Sequence, residues 1–211
     1  MKWEKLLALV GDEPVFSSAL LLAGHDSASR VHLQLSRWVK AGRLMQLRRG
    51  IYSLTPAWRK VEPHPFVVAN RLQRGSYVSL QAAMAFFGII PEHVPVVTSV
   101  SPGRRETVKN DLGVYQFNHI GGAMLFGYSR LEVAPRQFAF TALPEKALLD
   151  LVYLTPGADS ADFIRELRLQ NTGAFKLSVL QELARRSGKP KLVRTARLVG
   201  PLLPVEGEDP F

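Results

Sequence analysis

The sequence predicts an α+β protein in two parts, residues 1–60 and 61–211, and three observations carry that prediction. Three runs with helical spacing precede a short pair of strands. A proline-rich, aperiodic stretch, "TPAWRKVEPHP" (55–65), then interrupts the chain and reads as a linker with its boundary near residue 60. Beyond it, β-branched and aromatic runs alternate with amphipathic helical ones, as in a small sheet carrying helices.

In the first part, Trp3, Leu6, Leu7 and Val10 share one helical face, and "GDEP" stops that helix. "VFSSALLLAG" reads as a second, short helix, capped by Ser17 or Ser18 and closed by Gly24. The third helix has Asp26 or Ser27 as its cap and Gly42 just past its end. It turns Val31, Leu35, Trp38 and Val39 to the core and Arg30, Leu33, Gln34, Arg37 and Lys40 outward. With Ser27 and Ser29 at its start, that outer face offers groups suited to base edges and phosphates. Leu44–Leu47 and Ile51–Leu54 form a hairpin around Arg48-Arg49-Gly50, where Gly50 supplies the positive φ.

Helix, helix, amphipathic helix, hairpin is the order of a winged helix-turn-helix domain. There the third helix enters the major groove, and a cationic hairpin tip reaches phosphates or a narrow minor groove. Arg48 and Arg49 would be that tip; a tip basic only for solubility is the alternative. His32 sits at the edge of the same helix.

In the second part, "PFVVANRL" reads as a helix, Gly75 as a turn, and Ser79 as the cap of a helix that Gly88 ends. "VPVVTSV", "GVYQFNHI" and "RQFAFTAL" read as strands. "LPEKALLDLVYL" starts a helix with Pro144 in the first turn and Glu145 near the positive end of its dipole. "SADFIRELRLQN", "KLSVLQELARRSG" and "KLVRTARLVGPLL" complete a set of C-terminal helices.

Charge is unevenly placed. The net of +9 divides into +6 over residues 1–60, +1 over 61–154 and +5 over 155–200, before a tail with three acids. Clustered arginines on a basic domain suggest a polyanion, nucleic acid first, with a merely solvated basic surface as the alternative. No apolar run is long enough for a membrane span, and the N-terminus lacks the pattern of a signal peptide. The absence of cysteine excludes disulfides and thiolate metal sites and fits a cytoplasmic protein.

Four segments, "LSRWVKAGRLMQLRRGIYSL", "SYVSLQAAMAFFGIIPE", "VTSVSPGRRETVKNDLGVYQF" and "FTALPEKALLDLVYL", occur in the order found in the AbiEi family, which the sequence resembles over roughly residues 17–155. The family comprises antitoxins and transcriptional regulators of abortive-infection toxin–antitoxin systems. The resemblance implies a winged helix that binds operator repeats and represses its own operon. It also implies a C-terminal domain that counteracts a nucleotidyltransferase-like toxin, in type IV members without a stable complex. Residues 156–211 match only loosely.

The candidate DNA contacts are therefore Ser27, Ser29, Arg30, Leu33, Gln34, Arg37, Lys40, Arg48 and Arg49. A second basic surface comprises Arg104 and Arg105 in "SPGRRE", and Arg185, Arg186, Lys189, Lys191, Arg194 and Arg197 near the C-terminus. The arginine turn is a solvated loop, an extra phosphate contact or the surface that offsets the toxin; the terminal cluster faces flanking DNA or an acidic protein.

No catalysis, cofactor or metal is expected. The histidines at 25, 32, 64, 93 and 119 form no helical pair, and "GGAMLFG" lacks the GK[ST] ending of a phosphate loop and reads as a turn. Glu145 and Lys146, with Asp111 or Asp150, are the only nuclease-like set, but Asp150 is expected on a different part of the helix. Ser79 and Ser101 lack a histidine or acid beside them in sequence. A protein-interaction module that neutralises a partner by direct binding is the second reading of the chain, and a nucleic-acid-processing enzyme the third.

Overall fold

The computed structural model describes residues 1–22 and 27–203. Gly24, His25 and Asp26 lie outside them, as do the three acids of the tail. The architecture is mixed α+β with two sheets.

The first sixty residues form α1 (Trp3–Val10), β1 (Phe16–Ser17), α2 (Ser18–Leu22), α3 (Ala28–Lys40), β2 (Leu44–Arg48) and β3 (Ile51–Leu54). The strands make an antiparallel sheet in the order β1-β3-β2. Phe16, in the run expected to be helical, instead pairs with Tyr52, while Ser17 pairs with Ile51 and caps α2 as one of its two expected caps, accepting from the Ala19 amide at 3.2 Å. The reason is packing. Val15 joins the larger core and Phe16 the smaller one, an opposition that an extended chain provides and a helical turn does not. Helix α3 matches its predicted faces: Val31, Leu35 and Trp38 are buried, while Val39 is only partly covered. Ser27 is its N-cap, accepting from the Arg30 amide at 3.5 Å.

The proline-rich stretch folds back on this unit. Trp58 stands edge-on to Trp3 at 5.2 Å, and the Arg43 guanidinium lies over both rings at 5.3 and 5.6 Å. With Trp3 buried and Trp58 exposed, this Trp–Arg–Trp arrangement holds the strap by cation–π attraction as well as by area.

The rest of the chain comprises α4 (Pro65–Leu72), β4 (Tyr77–Val78), α5 (Leu80–Phe86), β5 (Val96–Ser101), β6 (Glu106–Asn110), β7 (Gly113–His119), β8 (Tyr128–Ala134), β9 (Gln137–Ala142), α6 (Pro144–Leu154), α7 (Ala161–Glu166), α8 (Leu177–Arg186) and α9 (Pro190–Val199). Its sheet runs β6-β7-β5-β4-β9-β8, with β5–β7 and β4–β9 parallel and the other pairs antiparallel. Strands β5, β7 and β9 are those predicted; β4, β6 and β8 carry no clear strand pattern in the sequence. "GGAMLFG" forms a short 3-10 turn between β7 and β8, as predicted.

Helix α6 is buried along most of its length, charges included. Lys146 and Asp150 lie one turn apart and form a fully buried ion pair, so the expectation that Asp150 stands apart from the Glu145–Lys146 pair is corrected. The other carboxylate oxygen accepts from Tyr77 Oη at 2.9 Å and Ser79 Oγ at 2.8 Å. Ser79 thus holds the N-cap position of α5 with its hydroxyl turned away from the helix. Thr98 takes over the capping, accepting from the Ala82 amide at 3.1 Å and donating to the Ser79 carbonyl at 2.7 Å. Leu80, at φ +59°, sits in the left-handed region at this junction. Glu145 is likewise buried, and it accepts from the Lys176 amide at 2.6 Å rather than serving the dipole of α6 from the surface. Burial pushes the Asp150 carboxyl up and the Lys146 ammonium down, each opposed by the other's charge.

Removing one partner leaves a buried charge without its counterion, which is worth about 3–5 kcal/mol. Asp150→Ala should therefore lower the unfolding free energy by about that much in urea titrations. The Lys146→Met/Asp150→Asn double variant should lose less than the single one.

Candidate nucleic-acid interface

The outer face of α3 is open. Arg30, Arg37 and Lys40 are exposed, Leu33 is 55% exposed and Gln34 is half-buried. Among the described residues none forms an ion pair with Arg30, Arg37 or Lys40. Three cations one to two turns apart, with an amide between them, leave a face of uncompensated charge. Ser27 is occupied by capping, and its hydroxyl lies 2.8 Å from that of Ser29, so both serines are tied to the helix start.

The hairpin tip is arranged differently from the prediction. Arg48 belongs to β2, opposite Ile51, with a bulge between Gln46 and Arg48. Its guanidinium donates to Glu106 Oε2 at 2.9 Å and to the Leu72 carbonyl at 3.2 Å. It therefore caps the end of α4 and joins the hairpin to β6, which corrects the picture of two free arginines at the tip. The cause is apolar: Leu47 is buried in the larger core, Met45 and Ile51 pack against it, and Asn110 donates to the Leu47 carbonyl. Arg49 stays exposed, with Gly50 at φ +80° beside it.

This seam gathers residues the sequence had kept apart. Arg48, Arg74, Arg104 and Arg105 line one cleft with Glu106 at its wall. Arg104 and Arg105 are exposed there and have no carboxylate partner among the described residues.

The C-terminal cluster is largely engaged within the chain. Lys191 donates to the Thr155 carbonyl, and Arg194 grips Asp159 Oδ2 through Nε at 3.0 Å and Nη2 at 2.6 Å, which holds that carboxyl below its ordinary range. The Arg186 guanidinium lies 4.6 Å from the Phe126 ring, and Arg185 Nε donates to the Gln181 carbonyl. Lys189 and Arg197 remain exposed.

Among the described residues no three histidines and acids gather as for a metal. His64 caps α4, accepting from the Phe66 amide, and burial pulls its pKa down; His119 Nδ1 lies 2.9 Å from the Gly103 carbonyl. Ser79 does have a carboxylate neighbour, Asp150, which the linear sequence concealed. Both are fully buried and their hydrogen bonds close on one another, so the set works as a structural lock. Asp111 is exposed in the β6–β7 turn.

No family model matches the sequence, and no curated protein does. A solved structure shares the fold. The crystal structure of the RV2827C protein from Mycobacterium tuberculosis is similar over 93% of this chain and 75% of that one, with a TM-score of 0.55 at 16% identity. The likeness to RV2827C is one of fold alone. Since it spans 93% of the chain, it takes in parts of both sheets. No helix of the described residues is long and apolar enough to cross a membrane.

The seam has a measurable signature. Partly exposed ion pairs contribute about 0.2–1 kcal/mol, so a double-mutant cycle on Arg48→Ala and Glu106→Ala should return a coupling in that range. A coupling indistinguishable from zero would mean that the pair does not hold the hairpin.

Proposed function

We propose that the chain is a sequence-specific DNA-binding repressor that acts as the antitoxin of a toxin–antitoxin operon. In this reading residues 1–60 are a winged helix-turn-helix unit and residues 61–211 the antitoxin part. The observation that carries it is the outer face of α3, where Arg30, Gln34, Arg37 and Lys40 stand together without carboxylate partners among the described residues. A three-helix unit backed by a three-stranded sheet is the frame in which such a helix enters the major groove. Arginine and glutamine there match guanine and adenine edges, while the flanking cations meet phosphates. Arg49 is the tip cation left for the neighbouring backbone.

The antitoxin role rests on the AbiEi resemblance, which points to autoregulation of the operon promoter and to a nucleotidyltransferase-like toxin, countered with or without a stable complex. The chain is read as non-enzymatic. One observation favours the second reading, a protein-interaction module: the hairpin is anchored to the larger core through Leu47 and Arg48, so it is less free than an independent wing.

The test is binding to the DNA immediately upstream of the chain's own reading frame. Gln34→Ala should reduce the preference for that DNA over a scrambled duplex by about 1–3 kcal/mol, the worth of one base contact. Arg37→Ala should weaken binding to the native duplex in the same assay. Equal affinity for native and scrambled DNA by the unaltered chain, together with a stable complex with the neighbouring gene product, would transfer the case to the interaction module.

A further inference from the structure

Strands β8 and β9 carry a surface that the duplex reading leaves unused. Strand alternation brings Tyr128, Arg130, Phe138 and Phe140 to one face while Ala139 and Thr141 point into the core. The three rings are 41, 41 and 47% exposed, an unusual concentration of bare aromatic area for a sheet. Each is set in place. Tyr128 stacks on Tyr77 at 4.4 Å and 14°, and Tyr77 is held from below by Asp150. Phe140 stands edge-on to Tyr128 at 6.1 Å, and its backbone N–H and C=O both bond to the Asn70 side chain. The Arg130 guanidinium lies 3.9 Å from the Phe138 ring.

The Asn70 bonds draw α4 alongside β9, and with it come Arg71 and Arg74 to the rim of a groove that Arg136 closes. Arg71, Arg74, Arg130 and Arg136 are half of the lysines and arginines in the near-neutral stretch 61–154. Among the described residues that line the groove, Glu13 is the carboxylate, 3.9 Å from Arg71, while Glu132 lies opposite Phe138 at the edge and accepts from the Arg136 amide. Arg74 also lines the cleft of Arg48, Arg104 and Arg105, so one cationic track runs from the aromatic face to the seam.

We propose that this groove binds single-stranded nucleic acid. Bases stack on Phe138, Phe140 and the Tyr128 ring, and the phosphates follow Arg71, Arg74 and Arg136 toward Arg104 and Arg105. Aromatic rings on an open sheet with arginines between them are the chemistry that single strands need, since every base has a stacking face and every linkage a charge. A second copy of this chain would pair through β8, which is the sheet edge, and the monomer–dimer arm of the test below reports it. The proposal does not depend on α3 reading a duplex.

Fluorescence anisotropy of the full chain with short fluorescein-labelled oligouridine and oligodeoxyuridine tests it. Phe138→Ala and Phe140→Ala should each weaken binding roughly ten-fold or more, and Arg71→Ala/Arg74→Ala should lower the salt slope by roughly 0.7 per phosphate lost. Because both phenylalanines are exposed, melting temperatures should stay near that of the parent. An Arg37→Ala/Lys40→Ala variant should bind the single strands as the parent does, which separates this site from the duplex one. Ring-dependent binding of either polymer upholds the proposal, and the tighter one identifies the sugar. No binding at low salt, ring variants that fold and bind like the parent, or a monomer–dimer shift on the same substitutions without single-strand binding would overturn it.

Discussion

The hairpin β2–β3 belongs to both cores, and the rest of the molecule is arranged around that sharing. Leu44, Tyr52 and Leu54 are buried in the smaller cluster with Trp3, Leu35 and Trp38, whereas Leu47 is buried in the larger one, with Met45 and Ile51 against it. A two-stranded ribbon is marginal in water on its own, and covering both of its faces is what makes this one stable. Packed on both faces, the hairpin ties the unit that carries α3 to the larger core beside the arginine cleft. Arg48 adds a polar latch to that apolar one by donating to Glu106 and to the last carbonyl of α4, that of Leu72.

A second lock operates deeper. The Lys146–Asp150 pair is costly to bury, and it is tolerated because Tyr77 and Ser79 satisfy the remaining carboxylate oxygen. Those two hydrogen bonds tie α6 to the central two-residue strand β4 and to the start of α5. Through the stacking of Tyr77 on Tyr128 the same cluster also sets the pose of a surface ring. Buried charge and exposed aromatic face are therefore parts of one construction.

Much of this was legible in the sequence wherever period and punctuation agreed. Helices α1, α3, α4 and α6 follow from their apolar spacing and from Ser27, Pro65 and Pro144 at their starts. Phe16–Ser17 escaped because two residues carry no period, and only the partner strand tells their conformation. Strand β6, "ETVKN", is polar because it lies at the sheet edge, and β4 is too short to show alternation. The outer face of α3 was legible because a helix's own periodicity decides what it exposes. The fate of Arg48 was not, since its partners lie 24 and 58 residues away. The aromatic groove was hidden for the same reason: Phe138 and Phe140 read as ordinary strand residues until the register of β8 and the position of α4 are known.

We propose that the chain grips DNA through α3 rather than through Arg48. The salt dependence of affinity for the upstream duplex measures this most directly, because each phosphate contact contributes a slope of roughly 0.9 in log K against log salt. An Arg30→Ala/Arg37→Ala/Lys40→Ala variant should lose most of the slope shown by the parent chain, and Arg48→Ala should leave it unchanged. An unaltered slope in the α3 variant, or a slope lost in Arg48→Ala, would show that α3 is not what holds the phosphates.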